Sequence, residues 1–154
     1  MSAEQLDLFD PTERWLPVIG YQGAYEVSDQ GRVRSLDRRI PYSDGRKPRL
    51  QRGRILRPGD TGTGLLVHLG RGMQNQKAVH RLVLEAFVGP CPPGMEGCHW
   101  NDNHHDNRLE NLRWDTHGAN ELDKARNLRA RKAEKQSPLS DAAQPRLNAR
   151  GAAS

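Results

Sequence analysis

The 154-residue chain predicts an α+β protein, with a β-rich N-terminal module followed by a strand–loop–strand–helix unit. Three patterns carry this expectation. Apolar and polar residues alternate through residues 25–36 around a Ser28-Asp29-Gln30-Gly31 turn, as in a half-buried hairpin. Val79, Leu82, Val83, Ala86 and Phe87 recur at helical spacing. Thr116 stands before a proline-free run to about Lys135, the position of a helix N-cap.

Taken in order, residues 1–13 read as a flexible lead-in. Residues 15–19 predict a short strand that Pro17 places at a sheet edge, because proline has no N–H to offer a second neighbour. After the hairpin, which sets Val33 on one face and Arg32 and Arg34 on the other, residues 37–53 are basic and rich in turn formers and predict a mobile loop. Residues 55–56 and 65–69 read as further strands, and residues 74–79 as the strand that closes that sheet. The helix over 79–87 stops at Gly89-Pro90. Residues 96–100 and 112–115 read as two short strands around a polar loop over 101–107, and the last helix leads into a Ser-, Pro- and Ala-rich tail without fixed structure. The division expected is a lead-in over 1–13, a β-rich module over 14–77, a second domain over 78–135 and a tail over 136–154.

Composition narrows the function. No run approaches the length of a membrane span. The acidic opening has no hydrophobic segment, which argues against a secretory signal and for a cytoplasmic protein. Cys91 and Cys98 form no CxxC pair. The net charge of +5 is unevenly spread: residues 31–57 hold ten Lys and Arg against Asp37 and Asp44. Such a block suits a polyanion. Arg32, Arg34, Arg38, Arg39, Arg52 and Arg54 are the candidate contacts to a nucleic-acid backbone.

Four of six histidines, His99, His104, His105 and His117, fall within 19 residues, beside seven Asn or Asp between Asn101 and Asp115. A strand–loop–strand–helix would bring His99 and Asn120 face to face, with Asn111 near the first strand. Phosphodiester hydrolysis needs a base that is neutral near working pH, and imidazole meets that need. It also needs a divalent cation held by oxygen, and Asn120 offers a hard carbonyl. Asn111 is placed to hold the other ring nitrogen of His99. His68 and His80 read as structural or DNA-facing, His104 and His105 as exposed loop residues, and Trp100 and Trp114 as core.

The segment Cys98-His99-Trp100-Asn101-Asp102 … Asp106-Asn107-Arg108-Leu109-Glu110-Asn111-Leu112-Arg113-Trp114-Asp115-Thr116 … Asn120 resembles the HNH endonuclease family in its phage and intron-homing branch. His99 to Asn111 spans 12 residues and Asn111 to Asn120 spans 9, as that pattern requires. Residues 79–87, Val-His-Arg-Leu-Val-Leu-Glu-Ala-Phe, are similar to the helix that precedes the motif in this branch. Tyr25-Glu26-Val27-Ser28 … Gly31-Arg32-Val33-Arg34-Ser35 is similar to a DNA-binding module often fused to these nucleases. The resemblance implies a ββα-metal (His-Me finger) core acting on double-stranded DNA, with Mg²⁺ as cofactor and Mn²⁺ as second choice. It implies His99 as general base, Asn111 as brace of the loop and the histidine, and Asn120 as metal ligand. It also implies cleavage to a 5′ phosphate and 3′ hydroxyl, and a phage or mobile-element origin. No small-molecule substrate or membrane is expected, and a monomer is favoured.

Two positions depart from the family. Cys98 stands where Asp or His often helps bind metal, and a soft sulfur suits Mg²⁺ poorly. It is either a buried structural residue whose place water takes, or a ligand that shifts the metal preference. Ala119 replaces the Glu that usually precedes the last Asn. These departures support an alternative expectation, a catalytically inactive DNA-binding protein.

Overall fold

The computed structural model describes residues 12–70 and 72–136. Residues 1–11 of the expected lead-in and 137–154 of the expected tail lie outside them. The first sheet has four antiparallel strands: β1 (Trp15–Pro17), β2 (Tyr25–Ser28), β3 (Val33–Ser35) and β6 (Arg54–Ile55), in the order β1-β2-β3-β6. Pro17 sits on the edge strand. Val27 and Val33 face each other across β2 and β3 and are fully buried, which is what the alternation requires.

Residues 37–53 are not a mobile loop. They form a two-stranded ribbon, β4 (Arg38–Ile40) paired with β5 (Arg49–Gln51). Its base is clamped by Asp37, which accepts from the Gly53 backbone N–H at 2.7 Å and from Arg52 at 2.8 Å. The strands are largely exposed and carry arginines on both faces, so no alternation marked them in the sequence.

A second sheet runs β7 (Gly59–Asp60), β8 (Leu65–His68) and β9 (Gln76–Ala78), all antiparallel. The two-residue β7 is too short to leave a pattern. Helix α1 (Val79–Phe87) buries Val79, Leu82 and Val83 on one face and Leu84 on another. It packs against β1, β2, β8 and β9 on one side of the chain order and against β10 (Met95–His99) and β11 (Leu112–Thr116) on the other. One cluster of buried side chains therefore runs from Val18, Tyr25 and Val27 through Val67 and Leu69 to Val83 and Leu112. Truncating Val83 or Leu84, both fully buried, would cost about 2–5 kcal/mol for lost burial and the cavity left behind.

Strands β10 and β11 form an antiparallel hairpin in which Met95 faces Thr116 and His99 faces Leu112. Helix α2 (His117–Lys135) follows at once, and the Thr116 side chain accepts from the Ala119 N–H as its cap. Because the register ends at Met95 and Thr116, the first turn of α2 begins beside the start of β10. Arg113 on β11 ties the helix down through ion pairs with Asp115 and with the buried Asp123. Trp114 joins the core and donates to the Gly89 carbonyl at 3.0 Å. Trp100, expected in the core, is instead 45% exposed, with the Arg113 guanidinium 3.5 Å above its ring. It follows the last residue of β10, where the hairpin no longer covers it. Among the described residues no helix is long and apolar enough to cross a membrane.

Candidate active site

A polar cleft of about 270 Å³ opens where β10, α1, α2 and the loop after β10 meet. His80 from α1, Glu96, Cys98 and His99 from β10, His104 from the loop and Asn120 from α2 all line it. The two ends of the predicted motif thus reach one cavity.

His99 is buried, and its Nε2 lies 2.9 Å from Asn107 Oδ1. Since an amide oxygen only accepts, this contact places the ring proton on Nε2 and leaves Nδ1 with its lone pair. Burial pushes the His99 pKa below the ordinary histidine value, against the opposing pull of the Asn107 hydrogen bond, so the ring is neutral at neutral pH. The Asn107 Nδ2 is itself buried and has no hydrogen-bond partner among the described residues.

Asn111, expected to hold His99, makes no hydrogen bond to it among the described residues. Asn111 Oδ1 accepts from the Asn101 N–H at 3.1 Å, and its Nδ2 donates to Asn101 Oδ1 at 2.9 Å and to the Asp106 carbonyl at 2.8 Å. It braces the loop, and Asn107 within that loop holds the histidine. The loop is further tied by Asp106, which accepts from Asn101 and pairs with Arg108; these contacts hold its carboxyl down to about 2, the Arg108 bond contributing most. Asp102 turns the chain at φ 58°, a left-handed conformation that aspartate tolerates better than most residues. Asn107 carried no signal of its own among seven Asn and Asp in one stretch.

Two further histidines flank His99. The His80 and His104 rings sit edge-on to it at 5.3 and 5.2 Å. His104 is therefore packed against the site, whereas His105 is exposed and pairs with Asp60 at 2.8 Å. His80 rests on Gly97, where a Cβ would stand 2.6 Å from its Cδ2, and burial lowers its pKa to about 4. His80 sits on the face of α1 next to the buried Val79 stripe, and only the cleft reveals that it belongs to the site.

Asn120 donates through Nδ2 to Glu96 Oε1 at 2.8 Å, which leaves its Oδ1 without a hydrogen bond among the described residues. His117 Nδ1 lies 3.3 Å from the same carboxylate oxygen. The Asn120 hydrogen bond is the largest cause holding the Glu96 pKa below the ordinary carboxylate value. Cys98 is 1% exposed, and its Sγ contacts the Glu96 carbonyl. Burial raises the pKa of its thiol, with Glu96 adding to the rise, so it stays protonated. A buried thiol is a poor partner for a hard cation. An amide oxygen facing a polar cleft does fit one.

The arginines of the basic block divide into two groups. Arg32 is ion-paired with Glu13, and Arg34 with Glu26 at 2.6 Å while lying 4.1 Å over the Trp15 ring. Arg38 donates to the Ala24 carbonyl and the Tyr25 hydroxyl at 3.2 Å each. Arg52 pairs with Asp37, whereas Arg39 and Arg54 are exposed without such a partner among the described residues. A groove of about 750 Å³ is lined by Arg38, Arg49, Arg54, Tyr25 and Tyr42.

Residues 13–67 match the family model of the NUMOD4 motif, and residues 77–122 match that of an HNH endonuclease. A solved structure described as DNA binding and cleavage by the HNH homing endonuclease I-HmuI superposes with a TM-score of 0.55. The identity is 26%, over 83% of this chain and 68% of that one. No curated protein matches. Fold, site and matches together define an HNH endonuclease. A NUMOD4 module precedes its nuclease part.

Proposed function

We propose that the chain hydrolyses phosphodiester bonds of double-stranded DNA with His99 as general base and one divalent cation held from Asn120, Mg²⁺ in the first place and Mn²⁺ in the second. The observation that carries this reading is the Asn107–His99 contact, in which a buried imidazole lining the cleft sets its Nε2 against an amide oxygen and so favours the tautomer with Nδ1 unprotonated. In this mechanism His99 Nδ1 takes the proton of the attacking water. Asn107 holds the ring in place through that transfer and accepts from Nε2 as the imidazolium forms. A divalent cation, when bound, supplies stabilisation of the charge gathering on the phosphate and the leaving oxygen. Asn111 keeps the loop in the one shape that carries Asn107 to His99.

The NUMOD4 module and its ribbon grip the duplex through the phosphate backbone. Arg39 and Arg54 are the contacts best placed for this, joined by Arg38 at the groove and by the exposed Arg52. Arg32 and Arg34 act instead within the module, against Glu13 and Glu26. A single site of this kind cuts one strand, so a monomer nicks.

Conversion of supercoiled plasmid, run with Mg²⁺, Mn²⁺, Zn²⁺ and EDTA, tests the reading. Nicked product that needs the metal and vanishes in His99→Ala, while DNA binding persists, supports it. Binding without cutting under every metal overturns it in favour of an inactive DNA-binding protein, and a His99→Ala variant that still cuts removes His99 as the base.

A further inference from the structure

We propose that Glu96 is a carboxylate ligand of the catalytic cation and takes the part that Cys98 cannot. The inference rests on the metal-dependent reading above and adds a residue to it. The hairpin register places the first turn of α2 beside the start of β10, and there Asn120 and Glu96 meet at 2.8 Å. Residues two apart on a strand share a face, so Glu96 stands on the same side of β10 as Cys98, one pleat further from His99. Cys98 is sealed from solvent, whereas the Glu96 side chain is 42% exposed and lines the cleft.

Charge favours the same residue. Mg²⁺ and Mn²⁺ are held by oxygen, through one or two carboxylates together with phosphate oxygens and water. With a buried thiol at 98 and a neutral amide at 120, β10 and α2 would otherwise offer the cation no anionic ligand, and the other carboxylate lining the cleft, Asp102, stands on the loop. Glu96 provides one. Both of its hydrogen bonds, from Asn120 and His117, fall on Oε1, and Oε2 accepts none among the described residues. Asn120 Oδ1 is likewise without a partner. Two hard oxygens thus stand on adjoining side chains that line one cleft.

Mn²⁺ titrated into the full chain without DNA, followed by the loss of the free-ion EPR signal, reads the site directly. Glu96→Gln keeps an oxygen for Asn120 to donate to and removes only the charge, so it separates ligation from positioning. The expected result is uptake of one Mn²⁺ by the wild type, weakening of at least tenfold in Glu96→Gln, and affinity within twofold of wild type in Cys98→Ser. Unfolding curves for each variant verify the fold. Wild-type affinity in Glu96→Gln overturns the proposal, as does loss of binding in Cys98→Ser or a wild type that takes up no Mn²⁺. Plasmid cleavage by the same preparations keeps the two readings apart. A Glu96→Gln variant that binds Mn²⁺ and cuts like wild type sinks the ligand and leaves the nuclease reading intact, while a wild type that neither binds nor cuts sinks both.

Discussion

Gly31, in the turn between β2 and β3, lies so close to Asn107 that a Cβ placed on it would stand 2.8 Å from both the Asn107 Cβ and the Asn107 carbonyl oxygen. Next to it the Leu109 N–H donates to the Asp29 carbonyl at 2.8 Å. The hairpin turn of the N-terminal module is thus the floor beneath the residue that holds His99. Gly31→Ala would meet both this wall and a φ of +80°. It is expected to lower stability by about 1–3 kcal/mol. It should also slow cleavage by more than the loss of folded protein explains, because Asn107 must move. Thermal unfolding and single-turnover cleavage on one preparation check both parts.

Asn107 gives a sharper test of the base. Asn107→Ala removes the acceptor on Nε2, and a drop in kcat of about 10–100-fold with DNA affinity unchanged is expected. Asn107→Asp puts a negative charge there and favours the imidazolium. Wild-type activity should rise as pH climbs through the His99 pKa, which burial sets below 6.5. In Asn107→Asp that rise should move to higher pH. An unmoved pH–rate profile would remove Asn107 from this role.

His80 makes stability depend on pH. Its folded pKa of about 4 lies below the ordinary 6.5, so the unfolded chain binds the proton more tightly. Stability from this group is therefore complete above about 6.5, falls as pH drops through the window between 6.5 and about 4, and falls no further once both states are protonated. The complete loss is roughly 3–4 kcal/mol, since one pKa unit corresponds to 1.36 kcal/mol. Denaturant unfolding at pH 7.5 and 4.5, for wild type and His80→Phe, measures it. The variant should lose clearly less stability between the two.

The basic block should show two behaviours. Arg39→Ala and Arg54→Ala together should weaken binding to any duplex and reduce the slope of log affinity against log salt by about 2, close to one per lost phosphate contact. Arg34→Ala breaks an internal ion pair and a stack on Trp15, so it should lower the melting temperature and leave the salt slope nearly unchanged. The reverse pattern would place Arg34, and not the ribbon, on the DNA.

By itself the sequence determined those features that local physics controls. Alternation in β2 and β3, the apolar stripe of α1 and the Thr116 cap each depend on residues a few positions apart, and each appears where the pattern put it. The spacing of His99, Asn111 and Asn120 likewise sufficed to bring two of them to one cleft and make the third the brace of its loop. The tertiary structure decided what depends on contacts between distant or patternless segments. The β4–β5 ribbon is largely exposed and carries arginines on both faces, so nothing in its hydropathy marked it. Asn107 rather than Asn111 holds His99 because a buried amide is chosen by the shape of the loop, not by its type. Glu96 meets Asn120 across 24 positions only because the hairpin register starts α2 beside β10. Gly31 reaches Asn107 only because a shared core fixes the hairpin turn against the nuclease loop, and no local periodicity encodes a contact made by docking.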